Sequence, residues 1–167
     1  LYYTTHRGSG RGTSDEYGYL GDWLFRTLPD PDPAKVKMEI VAAHPVPKHC
    51  LPAGVLDSER MIWYGGSAAG ESATLKGVVF LAYDVKNKKV LQCAEDIGFD
   101  RYVILAQSTG RLYWNTRPAR GKDGQGKRYD PVSNTISDCP GIEHIRSATK
   151  ETPDGFVYGT SDWDCQI

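Results

Sequence analysis

Apolar and polar residues alternate along this chain in short bursts, and the bursts repeat. Four segments share one pattern, in which apolar and aromatic residues run into small or hydroxyl residues: Leu1-Tyr2-Tyr3-Thr4-Thr5, Met61-Ile62-Trp63-Tyr64-Gly65, Leu112-Tyr113-Trp114-Asn115-Thr116 and Phe156-Val157-Tyr158-Gly159-Thr160. A second signature follows the middle two, Tyr83-Asp84-Val85-Lys86-Asn87-Lys88 and Tyr129-Asp130-Pro131-Val132-Ser133-Asn134. Val36, Met38 and Ile40 alternate with Lys35, Lys37 and Glu39, the two-residue period of a half-exposed strand. No segment carries a helical apolar period, so almost no helix is expected.

A recurrence at roughly 40–50 residues with four strands per unit is the period of a β-propeller blade. With the first strand of each blade innermost, the first unit supplies a second strand (residues 1–6), a third (Asp22 to Leu28) and an outermost (Val36 to Val41). A polar loop, residues 7–21, and the turn Asp30-Pro31-Asp32-Pro33 separate them, the prolines forbidding a ladder. The second unit reads Cys50 to Leu56, Met61 to Tyr64, Gly77 to Asp84 and Val90 to Ala94, with a hairpin turn at Asn87-Lys88. The third reads Tyr102 to Gln107, Arg111 to Asn115, Lys127 to Asp130 and Thr135 to Cys139. A fourth opens at His144 to Thr149, turns through Glu151 to Gly155 and stops at Phe156 to Ser161. The fold class is therefore all-β: a single β domain over residues 1–167, a partial β-propeller of about three and a half blades where closed propellers have about four to eight. The expectation is a segment of a larger propeller, completed by blades from the same or another chain, because open sheet edges are a liability. The same strands in two layers would give a β-sandwich.

Composition narrows the partners. Hydrophobic residues are 40% and charged residues 25%, ordinary for a globular protein, and a net charge of -1 gives no electrostatic case for nucleic acid or a membrane surface. The longest apolar runs, such as Gly77 to Ala82, are too short to span a bilayer. Cys50, Cys93, Cys139 and Cys165 form no Cys-x-x-Cys motif, leaving two readings, free thiols or long-range disulfides of a secreted protein.

In a propeller the connections from outermost to next innermost strand and from second to third strand converge on one face. Here those are 42–50, 95–101, 140–144, 5–21, 65–76, 115–126 and 160–167, and all four histidines fall in them or at their edge. His49, just before an innermost strand, points near the axial funnel, as general base, as metal ligand, or as a ring bonded to a neighbouring backbone. His144, beside Glu143, occupies the equivalent place two units later, and His6 ends a second strand; each is either a proton-transfer group or a polar closure. His44 sits exposed in a proline-bounded loop. Arg7, Arg101 and Arg117, with Arg11 and Arg120, offer forks for carboxylates, and Tyr17, Tyr19 and Trp163 offer flat faces, together an acidic-sugar site or a solvated loop surface. Asp162 and Asp164 present two carboxylates, but flanking Trp163 they make no complete metal shell. No motif requires a cofactor, and the identity of any metal, such as a divalent cation, stays open; a Walker loop, a Gly-x-Ser-x-Gly elbow and a His-Glu-x-x-His helix are all missing from the sequence.

The Tyr-rich strand, the glycine-rich loop, Pro45-Val46-Pro47 before an inner strand and the Tyr129 to Asn134 hairpin resemble a broad group of secreted bacterial and fungal propellers. Some of these act on uronic-acid-containing polysaccharides, including enzymes of the polysaccharide-lyase type that cleave the rhamnose–glucuronate linkage. The resemblance implies a secreted or periplasmic protein, an acidic oligo- or polysaccharide as partner, and a funnel histidine as catalytic base, for which His49 is the nearest match. It implies β-elimination: an arginine, Arg101 or Arg7, neutralises the uronate carboxylate, His49 or His144 removes the C5 proton, and a Tyr or a second His protonates the leaving oxygen. The alternatives are a non-catalytic propeller serving as a protein- or glycan-binding platform, and a coloured quinoprotein-like propeller.

Overall fold

The computed structural model describes residues 1–6, 13–99, 102–116, 124–142 and 145–161. Among them the chain is all-β, with only two three-residue turns of 3-10 helix, Asp15–Tyr17 and Pro33–Lys35. The first sheet pairs β1 (Tyr2–Thr4), β2 (Trp23–Leu28) and β3 (Lys37–Ala43) in chain order. The second pairs β4 (His49–Asp57), β5 (Ile62–Ala69), β6 (Val78–Asp84) and β7 (Lys89–Ala94). The third pairs β8 (Ile104–Ala106), β9 (Arg111–Asn115), β10 (Gly126–Asp130) and β11 (Thr135–Asp138), and the fourth is the hairpin β12 (Ile145–Ala148) and β13 (Gly159–Ser161). Every pairing is antiparallel and no sheet closes on itself. No helix among the described residues is long and apolar enough to cross a membrane.

The repeated Tyr-Asp signature folds into the same turn twice. Asp84 Oδ1 accepts the Asn87 N–H at 2.7 Å, and Asp130 Oδ1 accepts the Val132 N–H at 2.9 Å. Four residues on, Lys88 and Asn134 both take left-handed backbone, with φ of 54° and 53°. The turn therefore spans residues 85–88 rather than the Asn87-Lys88 pair alone, because the aspartate side chain holds the loop open by capping it.

The alternation of β5 and β6 sends apolar side chains to both faces of the second sheet. Trp63, Val79, Leu81 and Tyr83 pack towards the first sheet with Leu24, Val41, Ala42 and Val46. Ile62, Tyr64, Phe80 and Ala82 pack towards the third with Leu112, Trp114 and Tyr129. The second layer is aromatic: Phe80 and Trp114 stack at 4.7 Å between centroids and 4° between planes, with Tyr129 at 5.2 Å and Phe99 at 6.4 Å from Phe80. In the first layer, the Trp63 ring lies across the paired glycines Gly54 and Gly65, whose absent Cβ atoms would fall 2.0 and 2.1 Å from it. In β3 burial does not follow the expected period: residues 37–40 are all exposed, Met38 at 63% and Ile40 at 48%, and the adjacent Val41 and Ala42 are buried. The register between β2 and β3 shifts between Leu24 and Phe25, and a shift of this kind changes which residues face the core.

The two ends of the sheets differ. Tight turns occupy one, and they are laced together across sheets. The buried Asp57 carboxylate accepts the Glu59 and Arg60 N–H groups and the Gln107 amide, while the Arg60 guanidinium reaches the Gln107 and Ser108 carbonyls. Ser108 in turn donates twice to the Glu151 carboxylate. The opposite end carries the described residues 13–22, 44–48, 70–77 and 95–99.

Candidate functional site

At the loop end, residues 13–22 fold over the connections 44–48 and 70–77. Asp15 pairs with Lys48 at 2.8 Å and accepts the Ser72 hydroxyl at 2.7 Å, and the Asp15 N–H donates to Glu71 Oε2 at 2.9 Å. These bonds to Lys48 and Ser72 hold the Asp15 carboxyl below the usual carboxylate range. An open depression of about 710 Å³ lies between these loops, lined by Thr13, Ser14, Glu16, Tyr17, Ala69, Gly70 and Glu71. Tyr17 is 57% exposed there and offers a stacking face. Tyr19, the other tyrosine expected to meet substrate, is buried and acts instead as a support.

What Tyr19 supports is a buried corner where three chain segments meet. The Thr4 hydroxyl donates to the Leu51 carbonyl at 2.7 Å, which draws the end of β1 alongside the start of β4. This brings His6 against Cys50, with Nδ1 to Sγ at 2.7 Å. Asp22, entering β2, completes the group: one imidazole nitrogen, one sulfur and one carboxylate oxygen all lie within 4.8 Å of one another. Asp22 is 1% exposed and Cys50 6%, whereas His6 is exposed. Asp22 Oδ1 lies 2.8 Å from the Tyr19 hydroxyl and Oδ2 accepts the Leu51 N–H at 2.8 Å. The Tyr19 proton is shared, since the His49 carbonyl is only 2.7 Å from the same hydroxyl. No Lys or Arg among the described residues pairs with Asp22.

His49 faces the other way. It is completely buried, its Nε2 lies 2.9 Å from the Leu75 carbonyl and its Nδ1 2.8 Å from the Ser67 hydroxyl. A carbonyl only accepts, so the proton sits on Nε2, and Nδ1 accepts from Ser67. Both nitrogens are committed, and the ring ties the start of β4 to the 70–77 connection. Burial pushes the His49 pKa below the ordinary histidine value, with the Leu75 bond opposing. The folded state therefore resists a proton that the unfolded chain accepts near pH ~6.5, and the contribution of His49 to stability is lost as pH falls below that point. His49→Gln keeps a donor for Leu75 and cannot titrate. Denaturation midpoints between pH 7 and 5 are expected to fall less steeply in His49→Gln than in the parent, and parallel profiles would count against this role.

His144, Arg7, Arg101, Arg117 and Trp163 lie outside the described residues, as do Arg11, Arg120, Glu143, Asp162, Asp164 and Cys165. No disulfide joins Cys50, Cys93 and Cys139 to one another. Asp22 and Cys50 escaped the sequence reading of the site. They sit 28 residues apart with no local spacing motif: the β1–β2 pairing brings Asp22 opposite His6, and the β1–β4 contact brings Cys50. The one available signal was an aspartate at the head of a strand otherwise apolar in phase. The sequence matches no protein-family model and no curated protein.

Proposed function

We propose that this chain is a segment of a β-propeller whose loop end binds a uronic-acid-containing glycan and cleaves it by β-elimination. The observation that carries the propeller reading is the burial of the second sheet on both faces, between the first sheet and the third. A two-layer sandwich needs one buried face per sheet, whereas blades around an axis stack in series. The third residue of the first three markers supports it. Trp63 faces the first sheet and Trp114 the second, each towards the sheet before its own. Tyr3 pairs with Phe25 on the face of the first sheet turned away from the second, stacked at 5.7 Å. With Trp23, Met38 and Ile40 they make an apolar layer on which a preceding blade, from the same or another chain, would pack.

The glycan reading rests on the loop end. Tyr17 offers a sugar-stacking face, and His6 is an exposed imidazole beside a buried carboxylate. Elimination requires positive charge at the uronate carboxylate, a base for the C5 proton and a donor for the leaving oxygen. The His6, Asp22 and Cys50 corner, with Tyr19 behind it, is the described part of that centre and takes the carboxylate-facing role rather than that of the base. The protein is then a secreted or periplasmic one. The whole protein, incubated with uronate polymers, is expected to release an unsaturated product absorbing in the ultraviolet, at a rate that falls about 100-fold or more in His6→Ala. Saturable binding with no product on any such polymer would sink the elimination. It would leave the second reading, a glycan- or protein-binding platform, which the sealed environment of His49 favours.

A further inference from the structure

The geometry points to a transition-metal site, of the kind that takes Zn²⁺, at His6, Asp22 and Cys50. The first argument is the donor set. A thiolate and an imidazole select zinc and its neighbours over calcium or magnesium, and three protein ligands with one open position are the pattern of a reactive rather than a purely structural zinc. The second is distance. Ligand atoms bound to a tetrahedral zinc stand about 3.5 Å apart, given metal bonds of about 2.0 Å to nitrogen or oxygen and 2.3 Å to sulfur. Here all three donors lie within 4.8 Å of one another, and His6 Nδ1 and Cys50 Sγ, 2.7 Å apart, would part slightly around an ion.

The third argument is independent of both. The Asp22 carboxylate is almost wholly buried without a Lys or Arg partner among the described residues. Buried carboxylates in proteins are paired, hydrogen-bonded or bound to a metal. Its surroundings are already those of an oriented ligand: Tyr19 beside Oδ1, the Leu51 N–H on Oδ2, and a backbone fixed by the Asp22 N–H to the His49 carbonyl and the His44 N–H to the Asp22 carbonyl. Such second-layer bonds set the direction in which a ligand presents its lone pairs. The exposed His6 closes the corner from the solvent side and leaves a path for the ion. This deepens the proposed function and rests on it in one respect: the ion is the positive charge that faces the uronate carboxylate.

The test is metal content, read without any glycan. The whole protein, equilibrated with Zn²⁺ or Co²⁺ and desalted, is expected to retain about one ion at this site, and the Co²⁺ form to show a thiolate-to-metal charge-transfer band in the near ultraviolet. Cys50→Ser abolishes that band, and His6→Ala, at an exposed position where folding is not at stake, weakens retention at least tenfold. A protein that retains no ion, or one whose retention and band are unchanged in both variants, overturns the site. Bound metal without glycan cleavage would leave the site standing and remove the elimination instead.

Discussion

Trp114→Ala is expected to lower the unfolding free energy by about 3–5 kcal/mol, a large share of the ~5–15 kcal/mol that holds a typical domain folded. Its indole is fully buried, stacked on Phe80 at 4.7 Å, and its Nε1–H donates to the Ile97 carbonyl at 2.7 Å. Truncation therefore empties the middle of the layer between the second and third sheets and orphans a carbonyl at once. Phe99 packs on the same indole, and Tyr64 and Tyr129 on its partner Phe80, so the cavity opens inside an aromatic cluster. Denaturant titration followed by circular dichroism measures the loss, and a loss below about 1 kcal/mol would show that this layer does not hold the sheets together.

The second large effect comes from the smallest residue. In Gly66→Ala the new Cβ would sit 1.5 Å from the Phe99 carbonyl oxygen and 2.6 Å from its carbon. The obstacle is backbone, so no rotamer change relieves it. Gly98 is bound to the same approach, with its own absent Cβ 2.4 Å from Val79 and its N–H donating to the Val78 carbonyl at 2.8 Å. The segment after β7 thus lies directly on β5 and β6, and that seats the Phe99 ring in the aromatic layer. Overpacking here is expected to cost about 3 kcal/mol or more. Gly18→Ala is the comparison: Gly18 has a left-handed φ of 61° but open space around it, so only the backbone strain of about 1–2 kcal/mol applies. A thermal melt that ranks Gly18→Ala as the more damaging would refute the close-approach argument.

Strand positions were legible in the sequence because each marker couples a two-residue period to a turn with its own chemistry. Pro31 and Pro33, the Asp84 and Asp130 caps and the Pro153-Asp154-Gly155 turn all punctuate the chain locally, and the strands fall between them. What the pattern could not carry was phase. Val36, Met38 and Ile40 are exposed and the buried pair is Val41 and Ala42, because β3 bulges at Val41, where Leu24 pairs with Ala42 and Phe25 with Ile40. The site was legible in the same partial way. A rule that picks histidines near the loop end finds His6 and His49 alike. It cannot tell a ring sealed between Ser67 and Leu75 from one at the surface beside Cys50, because burial depends on the 70–77 connection, far away in sequence. Asp22 became visible only once β1 paired with β2, and Cys50 once Thr4 laid β1 against β4.

The two inter-sheet layers each enclose one indole, Trp63 between the first and second sheets and Trp114 between the second and third. The neighbourhoods are unlike. Trp63 rests on glycine backbone, while Trp114 lies in a face-to-face stack with Phe80 and is bonded through its nitrogen. The protein therefore carries a native fluorophore in each seam, and their emissions differ in quenching and polarity. Following the two in single-tryptophan backgrounds tells whether the seams part together, as one cooperative body, or separately, as neighbouring units of a linear array do.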